Sequence, residues 1–402
     1  MVNYIRALSQ DVIIHDQSKA DNGYTLFAPQ FGNIAWLIDM EGNVCHYWEM
    51  EHPPGVNYYL LPSGNLMWMG RGPDASKELG GCASYIIEVD WDGKEIWKYS
   101  DPGLNHDFKI LPNGNIMTLR FEKLPPDVQK KIKGGAPGTE LPDGSMMGVQ
   151  IQEITRDKKV IWEWSNWEHF DLSKHIECGL CNRLSYGYTN SLDVFPNGDP
   201  VISMRELNTV MRISKETGDI VWEIGPELDL GHQHDVDVLP DGNITLFDNG
   251  VHRVPRGHDT PDEIASFCTS RALEINPEKP EIVWEYIDPT HMMFTNFCGS
   301  NQKLSNGNYF ICESRTGTFY EITQDKEVVW KYISPFVIPR PDVFGWTAAK
   351  LIFQAHRYGE DFEGFKGKDL DPDQFEWIIN KKDKTEIAEQ EMIRSRLTRA
   401  GY

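Results

Sequence analysis

The stretch DVDVLPDGNITLF, residues 235–247, contains the fold in miniature: an alternating apolar strand, a Pro-Asp-Gly turn and a second apolar strand. Period-2 alternation on both sides of an Asp-Gly or Asn-Gly turn marks a β-hairpin, because the turn needs positive φ and the strands need one buried face. The pattern recurs as YYLLPSGNLMWM (58–69), DFKILPNGNIMTL (107–119), SLDVFPNGDPVIS (191–203) and NQKLSNGNYFIC (301–312), with a degraded copy at ADNGYTLFAP (20–29). A second pattern alternates with it: strand, polar turn, two apolar residues and tryptophan. It ends at Trp48, Trp97, Trp162, Trp222, Trp284 and Trp330. Helical periodicity is nearly absent before residue 340. Four-stranded units in series predict an all-β fold, a six-bladed β-propeller over residues 1–358, with the tryptophans wedged between blades.

Residues 34–49 supply only the later strands of a blade, so terminal segments must complete the last one. Residues 10–16 and 347–356 both fit its innermost strand. Residues 359–402 are charged with helical spacing, which predicts a short helical C-terminal tail against the propeller or in a homodimer contact.

Thirty-nine Lys and Arg against 61 Asp and Glu leave a net charge of -22. So acidic a chain is repelled by phosphate backbones and anionic lipid, and neither nucleic acid nor membrane is expected as a partner. No apolar run approaches the roughly 18–20 residues of a membrane span. The N-terminal MVNYIRALSQDVIIHDQ has no apolar leader segment and no small-residue cleavage site, which predicts a cytoplasmic protein.

The seven cysteines, Cys45, Cys82, Cys178, Cys181, Cys268, Cys298 and Cys312, are odd in number and thinly spread, as in a reduced compartment. Cys178-Gly-Leu-Cys181 has redox or metal spacing, but no second CxxC or paired His at finger spacing follows it. The pair reads as plain loop cysteines, with a disulfide or metal clip as the alternative. His232 and His252, near His234, suggest a metal cluster, but no carboxylate–His spacing of a known site accompanies them, and no metal ligand and no cofactor is assigned.

Loop lengths separate the two faces of the predicted propeller. Turns between first and second strands, and between third and fourth, are tight. The opposite face carries long segments at 121–147, 165–189, 249–270 and 287–300, and such loops are usually functional. Residues starting first strands or ending second strands reach that face. They include Asn57, His106, Asn190, His234 and Asn301 at the starts, and Arg71, Arg120, Arg205, Asp248-Asn249 and Arg315 at the ends. Four guanidinium groups at equivalent positions in an acidic chain predict an anion site, with Arg71, Arg120, Arg315, Asn190 and Asn301 as substrate-binding residues. The expected ligand is a small anionic, aromatic substrate.

The segments HDFKILPNGN, TNSLDVFPNG, TGDIVWEIGP, QHDVDVLPDGNITLFDNGVHR and ICESRTGTFYEITQDKEVVWKY resemble the arylsulfotransferase family over residues 20 to about 358. That resemblance implies a six-bladed propeller moving a sulfuryl group between phenols without a nucleotide sulfate donor. By position, Gln233-His234 matches the family's Gln-His, whose His becomes transiently sulfated. His106 matches a sulfate-binding His, Arg205 the Arg of a Ser-Ser-Arg strand end, and Arg253 an Arg expected to be structural. Where the family has a second sulfate-contacting His, this chain has Tyr188, which donates a hydrogen bond but offers no cation near pH 7. The expected catalytic set is therefore His234, His106, Arg205 and Tyr188.

An alternative keeps the same residues in a hydrolase or lyase for a small anionic, aromatic or carboxylated substrate. SKETGDIVW (214–222) resembles the repeat of quinone-cofactor dehydrogenase propellers, but it occurs once and six copies are fewer than that class uses. A non-catalytic interaction propeller has no need of Arg and His gathered among long loops.

Overall fold

The turns of the first repeat place Gly64, Gly114, Gly198, Gly242 and Gly307 at φ between 82° and 94°, left-handed backbone that a Cβ makes costly. In the second set of turns, Gly42, Gly93 and Gly218 take φ of 80°, 81° and 78°. Where TRDKK and TQDKE lack glycine, Lys158 and Lys326 adopt φ of 67° and 70°. Each first-repeat hairpin closes in one register, pairing Leu60 with Leu66, Ile110 with Ile116, Val194 with Pro200 and Val238 with Ile244.

The computed structural model describes residues 12–253, 269–290, 292–336, 338 and 350–375. The fold is all-β, a six-bladed β-propeller of antiparallel sheets. The chain forms two compact units. The first comprises residues 1–72, 85–100 and 302–402, and its described residues form three sheets. One of these orders Ile352–Gly359, Gly23–Pro29, Ile34–Ile38 and Val44–Glu49, so the C-terminal candidate supplies the innermost strand. The N-terminal candidate, as Val12–His15, instead pairs antiparallel with Val328–Ile333 and widens another sheet to five strands. The described part of the tail, after Gly359, contains two short 3-10 turns, and the predicted helix beyond residue 375 lies outside the described residues.

The second unit, residues 73–84 and 101–301, also contains three four-stranded sheets. Their innermost strands are Leu104–Ile110, Thr189–Val194 and His234–Val238. Side chains stitch these strands together: Asp107 Oδ2 accepts the Leu192 N–H (2.7 Å), Ser191 Oγ the Val236 N–H (3.0 Å), and Asp193 Oδ2 the Val238 N–H (2.7 Å). A parallel ribbon, Gly134–Ala136 against Glu177–Asn182, is built from two of the long segments.

Three of the repeat tryptophans reach across to another blade. Trp48, Trp284 and Trp330 are buried, and Trp97, Trp162 and Trp222 are half-buried. In the first unit the Trp48 and Trp330 indoles donate to the Asp90 and Met40 carbonyls, and in the second Trp162 donates to Lys215 O. Each carbonyl lies at a third-to-fourth strand turn of another blade. An apolar ring fills the seam while its N–H is satisfied across it. Among the described residues, no helix is long and apolar enough to cross a membrane.

Candidate functional site

His234 opens its inner strand, and the backbone around it is held in an uncommon conformation. His232 and Asp235 have φ of 59° and 58°; nearby, His106 is at 46°, Tyr188 at 47° and Cys298 at 64°. Non-glycine residues in this region cost free energy, and such strain persists where surroundings over-determine it, often at functional sites. Asp235 Oδ2 accepts the Asn301 N–H at 2.9 Å, one of the contacts that hold the bend.

The imidazole of His234 is buried and its tautomer follows from its neighbours. Nδ1 faces two acceptors, Asn249 Oδ1 at 2.7 Å and His232 O at 3.0 Å, so it bears the hydrogen. Nε2 faces a donor, the Cys298 N–H at 3.2 Å, so it presents its lone pair. The Asn249 amide is itself oriented, because Nδ2 donates to the Thr295 and Cys298 carbonyls at 2.9 and 2.7 Å. Burial, and then the Arg205 guanidinium, hold His234 well below the ordinary imidazole range.

Three more residues predicted from sequence join it within the second unit. Arg205 begins a 3-10 turn, Arg205–Leu207, directly after its strand. Its positive charge depresses His106 and His234 and also lowers Tyr188. His106 is buried, with Nδ1 against Asn105 Oδ1, and burial followed by Arg205 brings its pKa down to about 3. The ring of Tyr188 meets His106 edge-on at 5.5 Å, and its hydroxyl donates to Gly80 O at 3.1 Å. Burial pushes the Tyr188 phenol up, so it remains a neutral donor. The set therefore combines one fixed cation, two neutral imidazoles and one phenol.

The remaining candidates are placed differently. Arg120 is held by Asp101 (3.1 Å), Glu122 and Gln150 (3.2 Å), so its charge is met by neighbouring carboxylates. Asn190 and Asn301 are buried, and their amide nitrogens donate to Gln233 O (2.8 Å) and Leu273 O (3.0 Å). Arg71 is half-buried and Arg315 exposed, and both belong to the first unit. Arg253 binds Asp248 Oδ2 at 2.6 Å and donates to the Asp229 and Thr269 carbonyls, as a structural arginine would.

Two features were placed near the site by the sequence but given no role in it. Asn249, which sets the His234 tautomer, follows the second strand in FDNG. Cys178 and Cys181, expected to be plain loop cysteines, lie on the strand Glu177–Asn182 beside His232 and His252. The four ligand atoms all fall within 4.8 Å of one another. The legible signals were the CxxC spacing and the His-x-His at 232–234.

Residues 84–335, more than half the chain, match the family model described as Arylsulfotransferase (ASST). No curated protein matches the sequence. Among solved structures, a protein of unknown function from Bacteroides caccae is 13% identical with a TM-score of 0.51, covering 84% of this chain and 98% of its own. A streptogramin B lyase is 13% identical with a TM-score of 0.44, covering 81% of this chain and 83% of its own. A virginiamycin B lyase from Staphylococcus aureus, solved with quinupristin, is 12% identical with a TM-score of 0.43, covering 80% and 87%. At these identities the first of the three speaks for the fold alone.

Proposed function

The chain belongs to the arylsulfotransferase family, and from that premise we propose that it moves a sulfuryl group from an aryl sulfate to a phenolic acceptor through His234. The supporting observation is the fixed tautomer: Nδ1–H is committed to Asn249, so the nucleophilic lone pair sits on Nε2. Burial and Arg205 keep the ring unprotonated at neutral pH, as a nucleophile requires.

In the first half-reaction the Nε2 lone pair attacks sulfur in line while the bond from sulfur to the aryl oxygen breaks. The phenolate leaves and takes a proton from solvent. In the second half, the acceptor phenol gives its proton to solvent as its oxygen attacks sulfur, and the N–S bond breaks to return neutral His234. Charge spreads over the equatorial oxygens throughout, so catalysis is mostly placement of donors. Arg205 and Tyr188 are suited to hold those oxygens, with neutral His106 packed edge-on to Tyr188. The Cys298 N–H must withdraw from Nε2 for sulfur to approach.

The test is incubation with a chromogenic aryl sulfate, with and without a phenol. Acceptor-dependent release together with a sulfated His234 peptide supports transfer. Wild-type rates in His234→Ala would end the proposal.

A second reading is favoured by Tyr188 and by the Cys298 N–H on Nε2. In it His234, His106 and Tyr188 serve a hydrolase or lyase acting on a small anionic substrate bound by Arg205. Acceptor-independent release without an adduct on His234 would select it.

A further inference from the structure

We propose that Cys178, Cys181, His232 and His252 form a tetrahedral site for a zinc-type divalent metal ion. Thiolate and imidazole are the donors that zinc selects, and four of them at one point make a closed Cys2His2 shell. The spacing is diagnostic. With Zn–S near 2.3 Å and Zn–N near 2.0–2.1 Å, tetrahedral sulfur and nitrogen ligands stand about 3.6 Å apart. Here Cys178 Sγ is 3.3 Å from His252 Nδ1, and Cys181 Sγ is 3.5 Å from His232 Nε2 and 3.7 Å from His252 Nδ1. Three of the six donor pairs thus stand close to a tetrahedral edge, and all four donor atoms lie within 4.8 Å of one another.

The backbone is shaped to bring them there. His232 and His252 both take left-handed φ, 59° and 55°, and their rings meet edge-to-face at 4.7 Å. The donors come from separate pieces of chain: the CxxC from the strand Glu177–Asn182, His232 from just before the inner strand His234–Val238, and His252 from beyond Ile244–Asp248. A divalent ion with two thiolates is neutral overall. The Arg205 Nη1, 4.0 Å from Cys181 Sγ, provides an outer contact of the kind that orients metal ligands.

Four protein donors fill the shell, so the ion's work is architectural. It would clip the long segment 165–189 to the blade that bears His234, two residues from a ligand, and fix Arg205 beside it. This holds whichever reaction the site performs. The rival use of the same residues is a Cys178–Cys181 disulfide, and both sulfurs are free thiols in this structure.

The test uses the full chain purified without chelator under reducing conditions. Elemental analysis should give close to one zinc per chain. Exchange into cobalt(II) should give thiolate-to-metal charge-transfer absorption and intense tetrahedral d–d bands. Cys181→Ser and His232→Ala should weaken cobalt binding roughly tenfold or more, and Cys45→Ser should leave it unchanged. Should the variants fail to fold, the wild-type protein decides alone. Negligible zinc with no cobalt charge-transfer band overturns the proposal, as does a Cys178–Cys181 disulfide found by peptide mapping of the reduced-purified protein.

Discussion

Asn249 Oδ1 lies 2.7 Å from Nδ1 of His234, and the same amide donates through Nδ2 to the Thr295 and Cys298 carbonyls. The amide cannot turn without losing two hydrogen bonds, so the imidazole is held with its hydrogen on Nδ1 and its lone pair on Nε2. Asn249 is a positioning residue in this arrangement. Asn249→Ala should lower kcat for sulfuryl transfer roughly 10–100-fold with little change in KM, as removal of an orienting partner generally does. Asn249→Asp, which still accepts from Nδ1–H, should recover part of the rate. A parallel change in KM, or no rescue by Asp, would argue for a merely structural asparagine.

Gly81 packs against the ring of His106. A Cβ at Gly81 would overlap that ring, and the residue sits at φ 67°, where an L side chain is strained. Gly81→Ala should therefore cost about 1–3 kcal/mol of stability and displace His106 from Tyr188. Thermal denaturation should show the loss, and aryl sulfate turnover should fall further than in Gly93→Ala. Gly93 has the same backbone conformation, but nothing lies near where its Cβ would be.

The hairpins could be read from residues 235–247 and their repeats because turn chemistry is local: glycine at one offset, apolar alternation around it. The blade role of Trp48, Trp162 and Trp330 followed from their period. Which atoms of a strand-start residue face a neighbouring blade was hidden. Asn190 and Asn301 read as substrate contacts, yet their amide nitrogens bind backbone carbonyls. Arg120 read as part of an anion ring, but Glu122, two residues on and facing the same side of the strand, takes its charge. The Cys/His cluster was least visible of all. Cys178 and His252 are 74 positions apart, and only the fold brings them together.

Glu313 gives the first unit a pH dependence of definite sign. Burial lifts its carboxyl to about 7, although hydrogen bonds from Thr316 partly oppose the shift. Its Oε1 is buried without a partner. The unfolded carboxyl titrates near 4.5, so between those values the folded state binds the extra proton. The folded state is favoured below about pH 4.5 and loses that advantage as pH rises through 7, by up to about 3 kcal/mol. Glu313→Gln should match wild type in urea midpoint near pH 4 and exceed it at pH 8. Equal midpoints at both values would show that the group ionises freely in the fold.

Lys109 joins three inner strands of the second unit electrostatically. From Leu104–Ile110 its ammonium reaches Asp237 at 3.0 Å and Asp193 at 3.5 Å, one carboxylate from each of the other two strands. The three side chains are half-buried, so water screens them in part, and the full cost of breaking a buried pair does not apply. Lys109→Met would leave Asp193 and Asp237 facing each other without a counter-charge and should destabilise by roughly 1–3 kcal/mol. Adding Asp237→Asn removes the repulsion as well as the attraction. The double variant should therefore be more stable than the Lys109→Met single, with a coupling of about 0.5–3 kcal/mol in a double-mutant cycle of urea denaturation. Additive losses would mean that Lys109 acts through its methylene packing rather than its charge.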